Sequence, residues 1–250
     1  MKKLLIATAV AALWGTVGLC VESANVVGYV STANIQAGKF YLIAQHFQDC
    51  SGTTVDLQEF ITSTDMQGGT DDDNSPNLKL WDGSGYVDYY FYSEDMFGEE
   101  NVWGQGEIAA DPVPVSLGEG AFLKTKNNCT ITVAGSVASA NEMNVPLVSG
   151  KFNLIANPYP VSFDLNGDKV AWADAIVGGT SDDNSPNIKM WDGTGYVDYY
   201  FYSEDMFGEE NVWGQGEIAA DPGEAMVVAG KGFFMKYSTP TANVNLKFSK

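Results

Sequence analysis

Residues 69–112 read GTDDDNSPNLKLWDGSGYVDYYFYSEDMFGEENVWGQGEIAADP. Residues 179–222 repeat them at a shift of 110, with four changes: Asp71/Ser181, Leu78/Ile188, Leu80/Met190 and Ser84/Thr194. Two segments this alike must take the same local structure, so the chain is expected to fold as two like units. The likeness continues more loosely outward. GKFYLIAQHF at 38–47 parallels GKFNLIANPY at 150–159, and GEGAFLK at 118–124 parallels GKGFFMK at 230–236. The boundary therefore falls near SVASANEMN, giving one module over 21–138 and a second over 139–250. Each is about 110 residues long, enough for a core of its own.

The local pattern is that of strands. NLKLW alternates between two faces, DGSG supplies turn residues, and YVDYYFY returns as the second arm of a hairpin rich in aromatic and β-branched side chains. VVGYV, FYLIA, AFLKT and TITVA are further strands of the first module, with FNLIA, AMVVA, FFMKY and NVNLKF in the second. Helix signals are confined to DLQEFI near residue 56 and DKVAWADAI at 168–176. Breaks rich in Gly, Asn and Asp arrive every 8–12 residues or so, as in sandwiches and open barrels. The expected fold is all-β: two tandem β-sandwich-like or open-barrel modules related by duplication, with few short helices.

The first residues, MKKLLIATAVAALWGTVGLCVESAN, combine two lysines, an apolar run and small residues, the pattern of a secretory signal peptide over 1–20. Cleavage after Cys20 or after Ser23 fits, and lipidation of Cys20 is the alternative. No later run is long and apolar enough for a transmembrane helix, so the mature chain is expected to be exported, extracellular or at the cell surface. Removing residues 1–20 leaves eleven lysines against 32 acids, a balance of −21, and there is no arginine. Such a surface repels nucleic acid, which needs clustered cations. It also lacks the guanidinium that clamps phosphate and carboxylate substrates. Cys50 and Cys129 would remain, as one disulfide in an oxidising compartment or as two unpaired thiols.

Three groups of residues are candidates for chemistry. The loops TDDDNSPN and TSDDNSPN gather oxygen ligands of the kind calcium prefers, at Asp71, Asp72, Asp73 and Asn74 and at Asp182, Asp183 and Asn184. The alternative is a solvated turn whose acids cap their own backbone. SEDMFGEEN offers Glu94, Asp95, Glu99 and Glu100, with Glu204, Asp205, Glu209 and Glu210 in the second copy, a supply of paired carboxylates for glycoside hydrolysis. His46, the only histidine, stands where the second copy has Pro158, so it is read as a turn or surface residue outside the duplicated set.

The rings form the third group. Alternation places Val87, Tyr89 and Phe91 on one face of their strand and Tyr86, Asp88, Tyr90 and Tyr92 on the other. The first face suits a core. The second, extended by Trp81 and Trp103, is a candidate ligand platform; Tyr196, Tyr200, Tyr202, Trp191 and Trp213 are its counterparts. Rings packed across neighbouring strands are the competing reading.

The motifs FNLIANPYP, WDGTGYVDYY and GKGFFMK together resemble a recurrent all-β module of secreted and surface-attached bacterial proteins. The first module departs from that pattern, with LIAQHF and GEGAF in place of LIANPY and GKGFF. The resemblance implies a surface or matrix role without a reaction. The leading expectation is thus a non-enzymatic exported protein with a structural or assembly role, its partner a cell-surface protein or further copies of itself. Next stands a bivalent carbohydrate-binding protein that grips polysaccharide with its Tyr/Trp faces, without cofactor or with calcium support; a glycosidase is third.

Overall fold

A computed structural model describes residues 27–49, 54–63, 65–82, 85–192 and 194–250. The expected signal peptide, Cys20 and Cys50 lie outside the described residues. In the first half β1 (Val27–Ile35), β2 (Phe40–Ala44), β3 (Phe47–Gln48), β4 (Thr54–Asp56), β5 (Asn77–Trp81), β6 (Tyr86–Glu94), β7 (Glu100–Gln105), β8 (Ile108–Ala109), β9 (Pro114–Ser116), β10 (Gly120–Lys124) and β11 (Cys129–Val137) form sheets only with one another. The second half does the same with β12 (Glu142–Leu147), β13 (Phe152–Ala156), β14 (Phe163–Asp164), β15 (Asn187–Trp191), β16 (Tyr196–Glu204), β17 (Glu210–Gln215), β18 (Ile218–Ala219), β19 (Met226–Val227), β20 (Gly232–Lys236) and β21 (Val244–Ser249).

The two halves share one topology. Each is built on an antiparallel six-stranded sheet, β2-β10-β5-β6-β7-β8 and β13-β20-β15-β16-β17-β18. Each also holds a smaller layer, β1-β11-β3 in one and β12-β21 in the other, and a two-stranded ladder, β4-β9 or β14-β19. The chain is all-β, and among the described residues no sheet closes into a barrel. The two expected helices are single turns, Leu57–Phe60 and Trp172–Ala175. Asp56 opens the first by accepting the Gln58 N–H at 2.8 Å.

Alternation puts one face of each large sheet inside. Leu78, Leu80, Ala121 and Leu123 share one core with Ile35 and Ile131 from the smaller layer and with Phe60. In the second module Ile188, Phe201, Phe233 and Met235 meet Leu246 and Phe248. Cys129 is a buried free thiol within the first core, its pKa raised by burial.

The opposite faces of the two large sheets touch each other where β10 and β20 cross. A methyl group on Gly120 would stand 2.9 Å from Leu154 Cγ, and one on Gly232 would stand 3.0 Å from the Ile43 carbonyl oxygen. Glycine at both positions is what allows the two backbones to come this close. The contact is symmetric in kind: β2 meets β20 as β10 meets β13. The Ala156 N–H donates to Gly118 O at 2.7 Å, linking the modules through the backbone.

His46, in the short connection between β2 and β3, sits in this junction at 1% exposure, which overturns the reading of a surface residue. Its Nε2 accepts the Gly230 N–H at 2.7 Å, so Nδ1 carries the proton and donates to Asn157 O, both partners belonging to the second module. Burial pushes its pKa down to about 4. The unfolded chain then takes up a proton below pH 6.5 that the folded chain refuses until about pH 4, so stability falls with pH across that window. The loss amounts to about 3 kcal/mol. In urea unfolding from pH 7 to 4, the wild type should lose about that much more stability than His46→Gln, whose amide makes both bonds without titrating. Parallel pH curves would refute the assignment.

Candidate functional site

The cross-strand pairs of the duplicated hairpins set the outer face of each sheet. Trp81 lies opposite Tyr86, Lys79 opposite Asp88 and Asn77 opposite Tyr90; Trp191/Tyr196, Lys189/Asp198 and Asn187/Tyr200 repeat the pattern. On the neighbouring strands Phe122 and Lys124, with Phe234 and Lys236, alternate onto the same faces.

Where the sheets diverge from their crossing, these outer faces enclose a cleft of about 400 Å³ lined by Phe40, Lys79, Tyr86 and Phe122 of the first module and Trp191 and Tyr196 of the second. An unbroken path of ring contacts runs through it. Trp81–Tyr86 are 5.0 Å apart, Tyr86–Phe122 5.7 Å, Phe122–Phe234 5.4 Å, Phe234–Tyr196 5.9 Å and Tyr196–Trp191 5.1 Å. Edge-on and tilted geometries of this sort hold rings without flat stacking. Phe40 and Phe152 join the path through Phe122 and Phe234. Tyr86 and Tyr196 remain 40% and 44% exposed at the opening, offering ring edges and hydroxyls. Burial, and then the facing Tyr196 phenol, push the Tyr86 pKa up to about 12, so its hydroxyl stays protonated at physiological pH.

Lysines flank the rings. Lys79 and Lys124 lie 5.9 and 5.4 Å from the Phe40 centroid, and Lys189 and Lys236 lie 5.9 and 5.5 Å from that of Phe152. Lys79 also pairs with Asp88, and Lys189 with Asp198. Each module thus holds a pair of lysines over one ring, on a chain of net charge −19. Beyond Phe152 the surface turns polar, in a groove lined by Asp182, Asp183, Asn184, Tyr200 and Lys236.

The expected ring platform thus divides. Trp81, Tyr86, Trp191 and Tyr196 belong to the ring path, while Tyr90 and Tyr200 are half-buried on the outer faces. Tyr92, Tyr202, Trp103 and Trp213 are at most 1% exposed and cannot receive a ligand, which corrects their place among candidate binding residues. The reason is cover from loops. Gly69 pairs with β6 beside Tyr92, whose hydroxyl donates to Asp72 and accepts the Glu107 N–H at 3.0 Å. Tyr202 does the same between Gly179, Asp182 and Glu217. Trp103 and Trp213 point inward, against Phe91 and Phe201. Phe40, Phe122, Phe152 and Phe234 were missed by sequence reasoning; alternation in GKF and in GxGxF gives their face, but nothing local shows that the two faces meet.

In the Asp loops Asp71, Asp72, Asp182 and Asn184 commit side-chain oxygens to the protein itself. Asp71 caps a 3-10 turn by accepting from the backbone and side-chain nitrogens of Asn74, each at 2.9 Å, which holds its carboxyl below the usual range. Asn184 Oδ1 accepts the Thr180 and Ser181 N–H groups at 2.8 and 3.1 Å. Asp72 and Asp182 take the tyrosine hydroxyls, and Lys126 donates to Asp73 O. Among the described residues no three acidic, His or Cys side chains gather around a common point suited to a metal.

In the second acidic stretch, Asp95 accepts the N–H groups of Ala109, Glu99 and Phe97, which keep its carboxyl below the usual range. Asp205 does likewise with Glu209, Ala219 and Phe207. A carboxylate so held is a turn anchor and a poor proton donor. Glu94 and Glu100, opposite each other on β6 and β7, are exposed, as are Glu99 and Glu107.

Tyr202→Phe removes the hydroxyl between Asp182 and Glu217 at a buried position, at an expected cost of about 1–2 kcal/mol. Tyr92→Phe should cost as much, read as a lowered urea midpoint; two unchanged midpoints would show that the covering loops are held by other means. No protein-family model, curated protein or solved structure matches this chain, which leaves the chemistry of the cleft and its surroundings as the ground for a functional reading.

Proposed function

We propose that this chain is a non-enzymatic exported protein of the cell surface or extracellular matrix, working by assembly through the inter-module cleft. One observation carries the reading: rings from both modules line a single open cleft whose walls are almost wholly apolar. Its polar atoms are few, and Lys79 is already engaged by Asp88. Such a lining suits an apolar protein side chain better than a sugar, whose hydroxyls need several hydrogen-bonding partners. The signal-like first residues and the resemblance to modules of surface-attached proteins support the export part of the reading.

A second reading rests on the groove beyond Phe152, where two tyrosines, two aspartates, two asparagines and two lysines lie together. That mixture fits a carbohydrate, held at the module's flank and not in the cleft.

The two readings separate by experiment. Mature protein is measured by small-angle scattering over a dilution series and, in parallel, for retention on a panel of polysaccharides with and without chelator. Ordered multimers lost on Tyr86→Glu/Tyr196→Glu, without glycan retention, are the expected result. Retention lost on Tyr200→Ala, with a monomer at every concentration, would replace the assembly reading with the carbohydrate one.

A further inference from the structure

The β6–β7 and β16–β17 turns expose the sequence Met-Phe in both modules. Phe97 and Phe207 are 74% and 75% exposed, and Met96 and Met206 are both 58% exposed. Apolar groups of this size, held open to water at duplicated positions, mark an interaction surface. These turns are firmly built. Asp95 Oδ1 accepts the Phe97 and Glu99 N–H groups at 2.8 and 2.9 Å, and Oδ2 accepts that of Ala109 at 3.0 Å. The Met96 N–H donates to Glu107 O at 2.9 Å, and Gly98 closes the turn at φ +87°. The second copy repeats every one of these features around Asp205. The rings are therefore presented on fixed backbone, and little ordering remains to oppose their binding.

Each tip wears a collar of carboxylates, Glu94, Glu99, Glu100 and Glu107 in the first module, with no lysine between residues 80 and 123. A partner must offer an apolar pocket with a cationic rim. This chain has such a place: the inter-module cleft is lined by rings, and beside it Lys124 lies 5.4 Å from the Phe40 centroid and Lys236 5.5 Å from that of Phe152, whereas Lys79 and Lys189 are held by Asp88 and Asp198. At about 400 Å³ the cleft has room for a phenylalanine side chain.

We propose that the Met96–Phe97 or Met206–Phe207 tip of one copy docks in the inter-module cleft of a second copy. This rests on the assembly reading and names its partner and contact. Apolar tip meets apolar floor, and carboxylate collar meets ammonium rim, so the contact is complementary in both shape class and charge. Tip and cleft are different surfaces of one molecule, so the contact is heterologous and its repetition links copies head to tail, in a row or a ring according to the rotation at the contact.

The test uses two variants of the mature chain. Phe97→Ser/Phe207→Ser removes both tips and keeps the cleft; Tyr86→Glu/Tyr196→Glu fouls the cleft and keeps the tips. All four substituted residues are at least 40% exposed, and circular dichroism with a urea midpoint checks each fold. By analytical ultracentrifugation the wild type should form a concentration-dependent ladder of multimers. Each variant alone should self-associate more weakly by roughly thirtyfold or more, the scale of losing a central aromatic anchor. Mixing the two variants should restore association through the intact tips of one and the intact cleft of the other. If the tip variant forms multimers as the wild type does while the cleft variant does not, the docked tip is wrong and assembly through the cleft stands. If the mixture fails to associate, the tip–cleft pairing is overturned as well. A wild type that stays monomeric throughout removes both the contact and the assembly reading.

Discussion

Two strands cross with only hydrogen atoms between them, and most of the molecule's character follows from that approach. β10 and β20 meet at Gly120 and Gly232, where a side chain on either would strike Leu154 or the Ile43 carbonyl. Because the backbones come so close, the residues two places further along, Phe122 and Phe234, reach each other across the junction. Each then touches the tyrosine at the start of its neighbouring hairpin, and the tryptophan opposite that tyrosine completes the path. A wider separation would leave two unrelated aromatic faces. His46 reinforces the junction from one side with two bonds to the second module, where the duplicate position holds a proline, whose side chain can neither donate nor accept.

The rings of the repeated block serve three different ends, decided by what lies over them. Trp103 and Trp213 fill the interiors. Tyr92 and Tyr202 face outward by alternation yet are sealed by the Asp loops, whose carboxylates receive their hydroxyls. Tyr86 and Tyr196 face the same way, and they stay open. The acidic loops are thereby structural pieces: their carboxylates cap turns and hold tyrosines, and their charge stays near the surface where water moderates it.

Charge is distributed with the same economy. Carboxylates dominate the chain, and arginine is missing. Lysines nevertheless collect over Phe40 and Phe152, where Lys79 and Lys189 gain from a ring face as well as from Asp88 and Asp198. The hairpin tips carry the opposite arrangement, an apolar ring inside a circle of glutamates. Both kinds of surface are present in each copy because the duplicated segment contains or borders both.

The order of residues by itself determined the class of fold. Period-two patterns, turn glycines and the 110-residue shift specify two like all-β modules and which face of β6 is inward. These are local properties, set by backbone geometry within a few residues. It did not determine which outward rings stay exposed, since that depends on loops some twenty residues away folding over Tyr92 and Tyr202. Nor did it reveal the junction. His46 looks like a stray turn residue until 184 residues further on Gly230 is seen to donate to it. The cleft belongs to tertiary structure alone, because it exists only between two surfaces that the chain brings together across its full length.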